Sequence, residues 1–306
     1  MDIGVIVTAI GSSARLRAFI ETFRIQHPSI PIYVGAQGRL QPPITDWGAA
    51  QNVHFHELPF DNGLSASRNY LVRTATEPYV LICDDDFAFT EDFGLRDARA
   101  AFDFDAELGV LGGRLLNIDH DVAGTTANRS EATFAYNLIF DRPNRTLVML
   151  PAAIYGEPAR RLGSVDVTYC DTVLNFCLIR RERVFDKGIW WDEASKIGGE
   201  HFEFFLRIKE TRNAKVAYCP ALFAEHHRMQ SAEYAQLRSR PEGRIAIHEK
   251  LGIDCFVEMP FRIIRLKDGR LEERYTYSEL IAVLGSNAVS LRALEEYVGA
   301  RGSQAV

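Results

Sequence analysis

A chain of 306 residues, 47% hydrophobic, 11% aromatic and 25% charged, can bury one large core or two smaller ones, which excludes a disordered, collagenous or coiled-coil protein. Its 41 acidic and 35 basic residues leave a net charge of −6, the wrong sign for a protein that coats nucleic acid. No apolar run approaches the roughly 20 residues of a membrane span, and the short apolar start lacks the cationic lead of a signal peptide.

Residues 3–9 form a continuous apolar run, the pattern of a strand covered on both faces. Leu16, Phe19, Ile20 and Phe23 then recur at helical spacing, and Pro28 ends that helix. Residues 30–36 and 53–58 read as the next strands, separated by a polar loop containing Pro42, Pro43 and Trp47. A turn at Asp61-Asn62-Gly63 opens a helix to about Ala75, and 79–83 is a fourth buried strand. This alternation predicts an α/β fold with a doubly wound, mostly parallel sheet and helices on both faces. Further on, 110–116 and 173–179 read as strands with a polar stretch between them, 200–210 as a helix and 215–222 as a short strand. After His227 the chain becomes charged and helical, and residues 261–277 look like a hairpin around Asp268-Gly269. Two short helices capped by Ser278 and Ser290 follow. The expected organisation is a main domain over 1–235 and a small appendage over 236–306 packed on it. The five cysteines form no C-x-x-C pair and mostly sit in apolar runs, as reduced residues of a cytoplasmic protein would.

Four segments carry the chemistry. Asp84-Asp85-Asp86 directly follows the apolar run of the fourth strand, and ligands of open parallel sheets bind outside the carboxyl ends of strands. Adjacent carboxylates repel unless a cation or hydrogen-bond donors offset them, so the triplet reads as a seat for Mg²⁺ or Mn²⁺. In that reading Asp84 and Asp86 address one site, while Asp85 points away or supports the loop. A solvated acidic turn is the plain alternative, but Cys83, Phe87 and Phe89 flank the triplet too closely with apolar surface. The segment Asn62-Gly63-Leu64-Ser65-Ala66-Ser67-Arg68-Asn69 opens a helix whose N-terminus and Arg68 could meet a diphosphate. Its small residues would equally let the helix pack closely. Gly198-Gly199-Glu200-His201-Phe202-Glu203 begins another helix, with Trp190, Trp191 and Asp192 just upstream. A carboxylate beside indole surface suits a general base acting on a sugar hydroxyl, though a Glu203–Arg207 pair on a solvated face has the same spacing. Finally, His226 or His227 could complete a metal site begun by the aspartates.

Taken in order, these segments resemble metal-dependent nucleotide-sugar glycosyltransferases of the GT-A fold, in particular family 2 enzymes and the related N-acetylgalactosaminyltransferases. The likeness rests on the first strand, the N-G-x-S-x-x-R-N segment, the D-x-D triplet, the G-G-E-H element and the histidine after the next strand, and covers about residues 3–230. It implies that Thr8, Ala9, Asn62, Arg68, Asp84 and Asp85 bind the nucleotide sugar, with a UDP-sugar as donor. It implies that Asp86, Asp84 and His226 or His227 hold Mn²⁺ or Mg²⁺, and that Trp190, Trp191 and Asp192 face a glycan or other hydroxyl acceptor. In inverting members a carboxylate of the later motif is the base. Here His201 stands where an aspartate is frequent, so the base would be Glu200 with Glu203 in support, or His201 itself. The alternatives are a sugar-1-phosphate nucleotidyltransferase, suggested by Gly11-Ser12-Ser13-Ala14-Arg15-Leu16, and a non-catalytic nucleotide-sugar binding module. A cytoplasmic protein of this kind could also meet the inner membrane face, or a second copy of itself, through its C-terminal region.

Overall fold

The N-terminal apolar run becomes β1 (Ile3–Ile10), buried as far as Ala9. Its alternate side chains feed two cores. Ile3, Val5 and Val7 join Leu16, Phe19 and Phe23 of α1 (Ser13–Gln26), whereas Ile6 joins Leu71 and Val72 of α3 (Leu64–Thr74). One helix therefore covers each face, which is why this strand lacks polar alternation. The computed structural model describes residues 2–10, 13–38, 44–120, 126–155, 157–229, 241–258 and 262–274. With β2 (Ile32–Gln37), β3 (Val53–Leu58) and β4 (Tyr79–Asp84), β1 forms a parallel half-sheet in the order β3-β2-β1-β4. The expected polar loop before β3 contains a short helix, α2 (Ile44–Ala49), that includes Trp47, while Pro42 and Pro43 lie outside the described residues.

Beyond β4 the chain supplies β5 (Phe87–Ala88), α4 (Leu95–Ala101), β6 (Leu108–His120), β7 (Thr126–Ala132), β8 (Ala135–Asp141), β9 (Thr146–Pro151) and α5 (Ala152–Tyr155). There follow β10 (Arg160–Leu162), β11 (Val165–Cys170), β12 (Thr172–Val173), β13 (Cys177–Arg180), α6 (Glu200–Thr211) and β14 (Lys215–Met229). The central sheet runs β10-β11-β14-β6-β13-β4-β1-β2-β3, with β5 on β14 and β7 on β6. β13 is antiparallel to both β4 and β6, so the sheet is mixed: the first 84 residues form one parallel part and β6 with β14 another. The run 173–179, expected as one strand, breaks at residues 174–176 and serves two sheets. Phe176 turns fully into the core there, against Phe87. The polar stretch before it holds β7 to β11; all but the buried β9 carry exposed or half-exposed positions that dilute the apolar signal. All five cysteines are buried, and none forms a disulfide.

A second sheet runs β12-β8-β9, then β15 (Cys255–Glu258), β16 (Arg262–Lys267) and β17 (Arg270–Arg274). The hairpin at Asp268-Gly269 forms as expected, and β15 lies parallel to β9, so residues 255–274 share a sheet with residues 135–151. The helix α7 (Glu242–Leu251) precedes them. The expected domain boundary near 235 and the helices at Ser278 and Ser290 fall outside the described residues. Among the described residues no helix is long and apolar enough to cross a membrane.

Two anchors position the region after β4. Phe87, Phe89 and Phe93, all nearly buried, pack on Phe19, Phe23 and Phe176, which pins the chain immediately after the three aspartates. Gly63, at φ +87, lets α3 start against the 190–199 loop, and a Cβ there would lie 2.8 Å from the Lys196 Cα. Gly63→Ala therefore combines a left-handed backbone with a clash, and should cost about 2 kcal/mol or more in urea unfolding. Gly188→Ala, at φ +80 but facing open space, should cost only the conformational part, about 1 kcal/mol.

Candidate active site

The three aspartates line one cleft with Thr8, Ala9, Ile10, Arg15, Gln37 and Leu64 at the carboxyl ends of β1 and β4. Thr8 and Asp84 lie directly opposite in the parallel register. Each carboxylate meets a different counter-group. Asp84 Oδ1 accepts from Arg68 Nη2 at 3.3 Å, Asp85 lies 3.7 Å from Arg15 Nη2, and Asp86 Oδ2 lies 3.4 Å from His226 Nε2. Asp85 thus does not point away: it is 7% exposed, and burial pushes its carboxyl up to about 8 against the lowering influence of Arg15.

Arg68 is 1% exposed, yet its Nε and Nη1 have no hydrogen-bond partner among the described residues, and neither do Thr8 Oγ1, Asp85 Oδ2 or Asp86 Oδ1. Natural proteins rarely leave so many buried polar atoms unmatched in one place unless a ligand completes them. Strand alternation separates the two histidines. His226 places Nδ1 2.9 Å from the Asn117 side-chain oxygen and turns Nε2 toward Asp86. The Asn117 contact fixes the orientation of the imidazole whose Nε2 lies 3.4 Å from Asp86 Oδ2. His227 points elsewhere, to His120 (2.9 Å) and Glu225 (3.2 Å), so it does not share the aspartate site. Among the described residues no three His, Cys, Asp or Glu side chains converge tightly enough to hold an ion unaided.

The expected anion-binding entrance of α3 is largely used internally. Gly63 N–H donates to Gln37 Oε1 and Leu64 N–H to the Lys196 carbonyl. Asn62 bonds to Ser67 Oγ (3.2 Å) and does not line the cleft. Ser65 donates to the Ser195 carbonyl, and Asn69 exchanges hydrogen bonds with the Trp191 backbone and donates to Glu193. The small-residue segment is thus a clamp on residues 191–196, with Arg68 reaching past it to Asp84.

That loop leads through Gly198 and Gly199, both at positive φ, into α6. Glu200 opens the helix, 4% exposed with Oε2 unpartnered. Glu203 is fully buried and committed: Arg207 Nε approaches at 2.7 Å and Lys250 Nζ donates at 2.9 Å. Lys250 also donates to Asp192 (2.6 Å), so Asp192 belongs to this ionic chain. Trp191 is likewise turned inward, 3% exposed and stacked on Phe204 at 4.6 Å, while half-buried Trp190 lies under Arg73. His201 Nδ1–H donates to Asn175 Oδ1 (2.6 Å), and burial beside Arg68 pushes its imidazole down to about 3. So low a value makes it a poor proton acceptor. Gln37, Asn117 and Asn175 were not singled out in the sequence, and Arg15 was named there only in the loop that suggested a nucleotidyltransferase. Only Arg15 had a visible signal, one turn into the helix that follows β1.

Glu203→Gln leaves two cations facing a neutral buried amide, and should cost about 3 kcal/mol in urea unfolding. Because folding opposes ionisation of Asp85, the ligand-free chain loses this group's contribution as pH rises from about 4 to about 8. In chelator, Asp85→Asn should therefore gain melting temperature relative to the parent across that range, and a constant difference would contradict the assignment.

A family model described as glycosyl transferase family 2 matches residues 5–167. Beta-1,4 N-acetylgalactosaminyltransferase 1 of Rattus norvegicus is 37% identical over 76 residues, which are 25% of this chain and 14% of the relative. Beta-1,4 N-acetylgalactosaminyltransferase 2 of Mus musculus is 23% identical over 212 residues, 69% of this chain and 36% of the relative. The chain thus spans only a minor part of these curated relatives. Among solved structures, GalNAc-T7 crystallised with UDP, GalNAc and Mn²⁺ aligns with a TM-score of 0.54 at 14% identity, over 74% of this chain and 44% of that one. Residues 1-349 of S. aureus TarS in complex with UDP-GlcNAc align with a TM-score of 0.53 at 15% identity, over 82% of this chain and 65% of that one. These likenesses place the architecture in the GT-A fold class. With more than half of its length matched by the family model, the chain belongs to glycosyl transferase family 2.

Proposed function

We propose that this chain transfers a sugar from a nucleoside-diphosphate sugar, with a UDP-sugar as donor, to a hydroxyl of an acceptor. The reaction inverts the anomeric carbon and uses Mn²⁺ or Mg²⁺. The observation that carries the reading is the set of unmatched buried polar atoms lining the cleft, Asp86 Oδ1, Asp85 Oδ2 and Thr8 Oγ1, with two further unmatched nitrogens on Arg68, which contacts Asp84. It mixes acceptors for a cation with donors for an anion, as a metal diphosphate requires. Family membership supports the donor class, as do the UDP and Mn²⁺ bound to GalNAc-T7 and the UDP-GlcNAc bound to TarS.

Asp86 and His226 would hold the ion, with Asp84 beside them, and leave its other positions to phosphate oxygens and water. A bound divalent ion supplies Lewis-acid stabilisation to the departing diphosphate. Thr8 and Ala9 line the nucleoside side of the cleft. Arg68 directs Asp84 through its 3.3 Å contact and has two N–H groups to spare for the donor. Glu200 is the base, because Glu203 is held by two cations and His201 is too weakly basic. The acceptor hydroxyl gives its proton to Glu200, its oxygen bonds to the anomeric carbon, and the diphosphate oxygen leaves with the electron pair. A cytoplasmic location fits five reduced cysteines.

Two variants test this. The wild-type chain should gain melting temperature with UDP only when Mn²⁺ is present, and Asp86→Ala should lose that gain. An undiminished Mn²⁺-dependent shift in Asp86→Ala would refute the cation role. Glu200→Gln should keep the shift while UDP release from a UDP-sugar in the presence of glycosides falls by about 10²–10⁴.

A further inference from the structure

A second cavity, of about 110 Å³, opens beside the first turn of α6, between that helix, α7 and the second sheet. It shares Gly199 and His201 with the turn that carries Glu200. Three phenyl rings form its walls: Phe134, Phe202 and Phe256, the last two stacked at 4.8 Å. Phe134 meets His201 edge-on at 5.6 Å. Arg244 crosses the bare face of Gly198, where a Cβ would lie 3.2 Å from its Cγ, and makes no ion pair among the described residues. Glu258 lines the same cavity, as does His248, which is 2% exposed with Nδ1 unpartnered.

We infer that this cavity is the acceptor subsite and that its ligand is an uncharged pyranose ring; the inference rests on the transferase reading above. The C–H face of a pyranose is apolar and loses water against phenyl surface, whereas its rim of hydroxyls both donates and accepts. Arg244 supplies donors only and Glu258, when ionised, acceptors only, which suits neighbouring hydroxyls. Opposite charges on the lining remove any preference for an ionic ligand. Neither the donor cleft nor the ionic chain at Glu203 offers such walls. The Gly198-Gly199 turn serves both purposes, since a side chain at Gly198 would displace Arg244 and one at Gly199 would crowd Ile247.

The test uses methyl β-D-galactopyranoside and methyl β-D-glucopyranoside as probes, with the open-chain polyol ribitol as control. Binding is followed by saturation-transfer NMR in the presence of UDP and Mn²⁺. At least one pyranoside should bind, with transfer concentrated on ring C–H protons, and ribitol should not. Arg244→Gln should weaken that binding about tenfold, as loss of a charge-assisted hydrogen bond does. Phe202→Leu should remove the ring-proton pattern. The inference is overturned if neither pyranoside exceeds ribitol, or if Arg244→Gln binds as the parent does. UDP affinity, measured in the same samples, separates the two readings. Its absence sinks the donor assignment, whereas intact UDP binding without pyranoside preference sinks the subsite alone.

Discussion

Three carboxylates in succession at the end of a buried strand repel one another in a low-dielectric setting, and much of the surrounding structure offsets that repulsion. Arg68 from α3 meets Asp84 and Arg15 from α1 meets Asp85, while Asp86 faces the His226 imidazole of β14. The compensation is incomplete: Asp85 is held above the usual carboxylate range, and buried oxygens of Asp85 and Asp86 remain unmatched. Beneath the cluster, the packed phenyl rings of Phe87, Phe89 and Phe93 hold the chain that carries it.

A second electrostatic arrangement governs the other side of the cleft. Arg207, Glu203, Lys250 and Asp192 alternate in sign and span the Gly198-Gly199 turn, with Asp192 before it and Glu203 after it. Arg207 also caps the Trp190 carbonyl. The turn can therefore adopt its positive-φ geometry without leaving α6 loose. Lys250 belongs to α7, beyond the segment matched by the family model, so the later part of the chain helps hold the helix that bears Glu200. The α3 clamp on residues 191–196 secures the same loop from the opposite side.

Legibility in the sequence followed burial. β1, α1 and β4 could be read directly because elements buried on both faces, or on one regular stripe, impose periodicity on their own residues. The aspartate triplet stood out for the same reason, as charge placed where apolar flanks leave no room for it. Strands β7, β8, β10 and β11 could not be read, because their exposed and half-exposed positions dilute the apolar signal. Asn117 and Asn175 carried no local mark. Each acquires its role only by facing a histidine about 109 or 26 residues away.

The amino-acid sequence by itself determined the alternating α/β architecture, the placement of acidic chemistry at a strand end and the family to which the chain belongs. Tertiary structure alone decided which of two adjacent histidines meets Asp86, which of two glutamates keeps a free oxygen, and that Trp191 and Asp192 turn inward. The division has one physical cause. Periodicity records how a residue's own segment meets the core, whereas partner choice between neighbouring side chains depends on distances set by other segments of the chain.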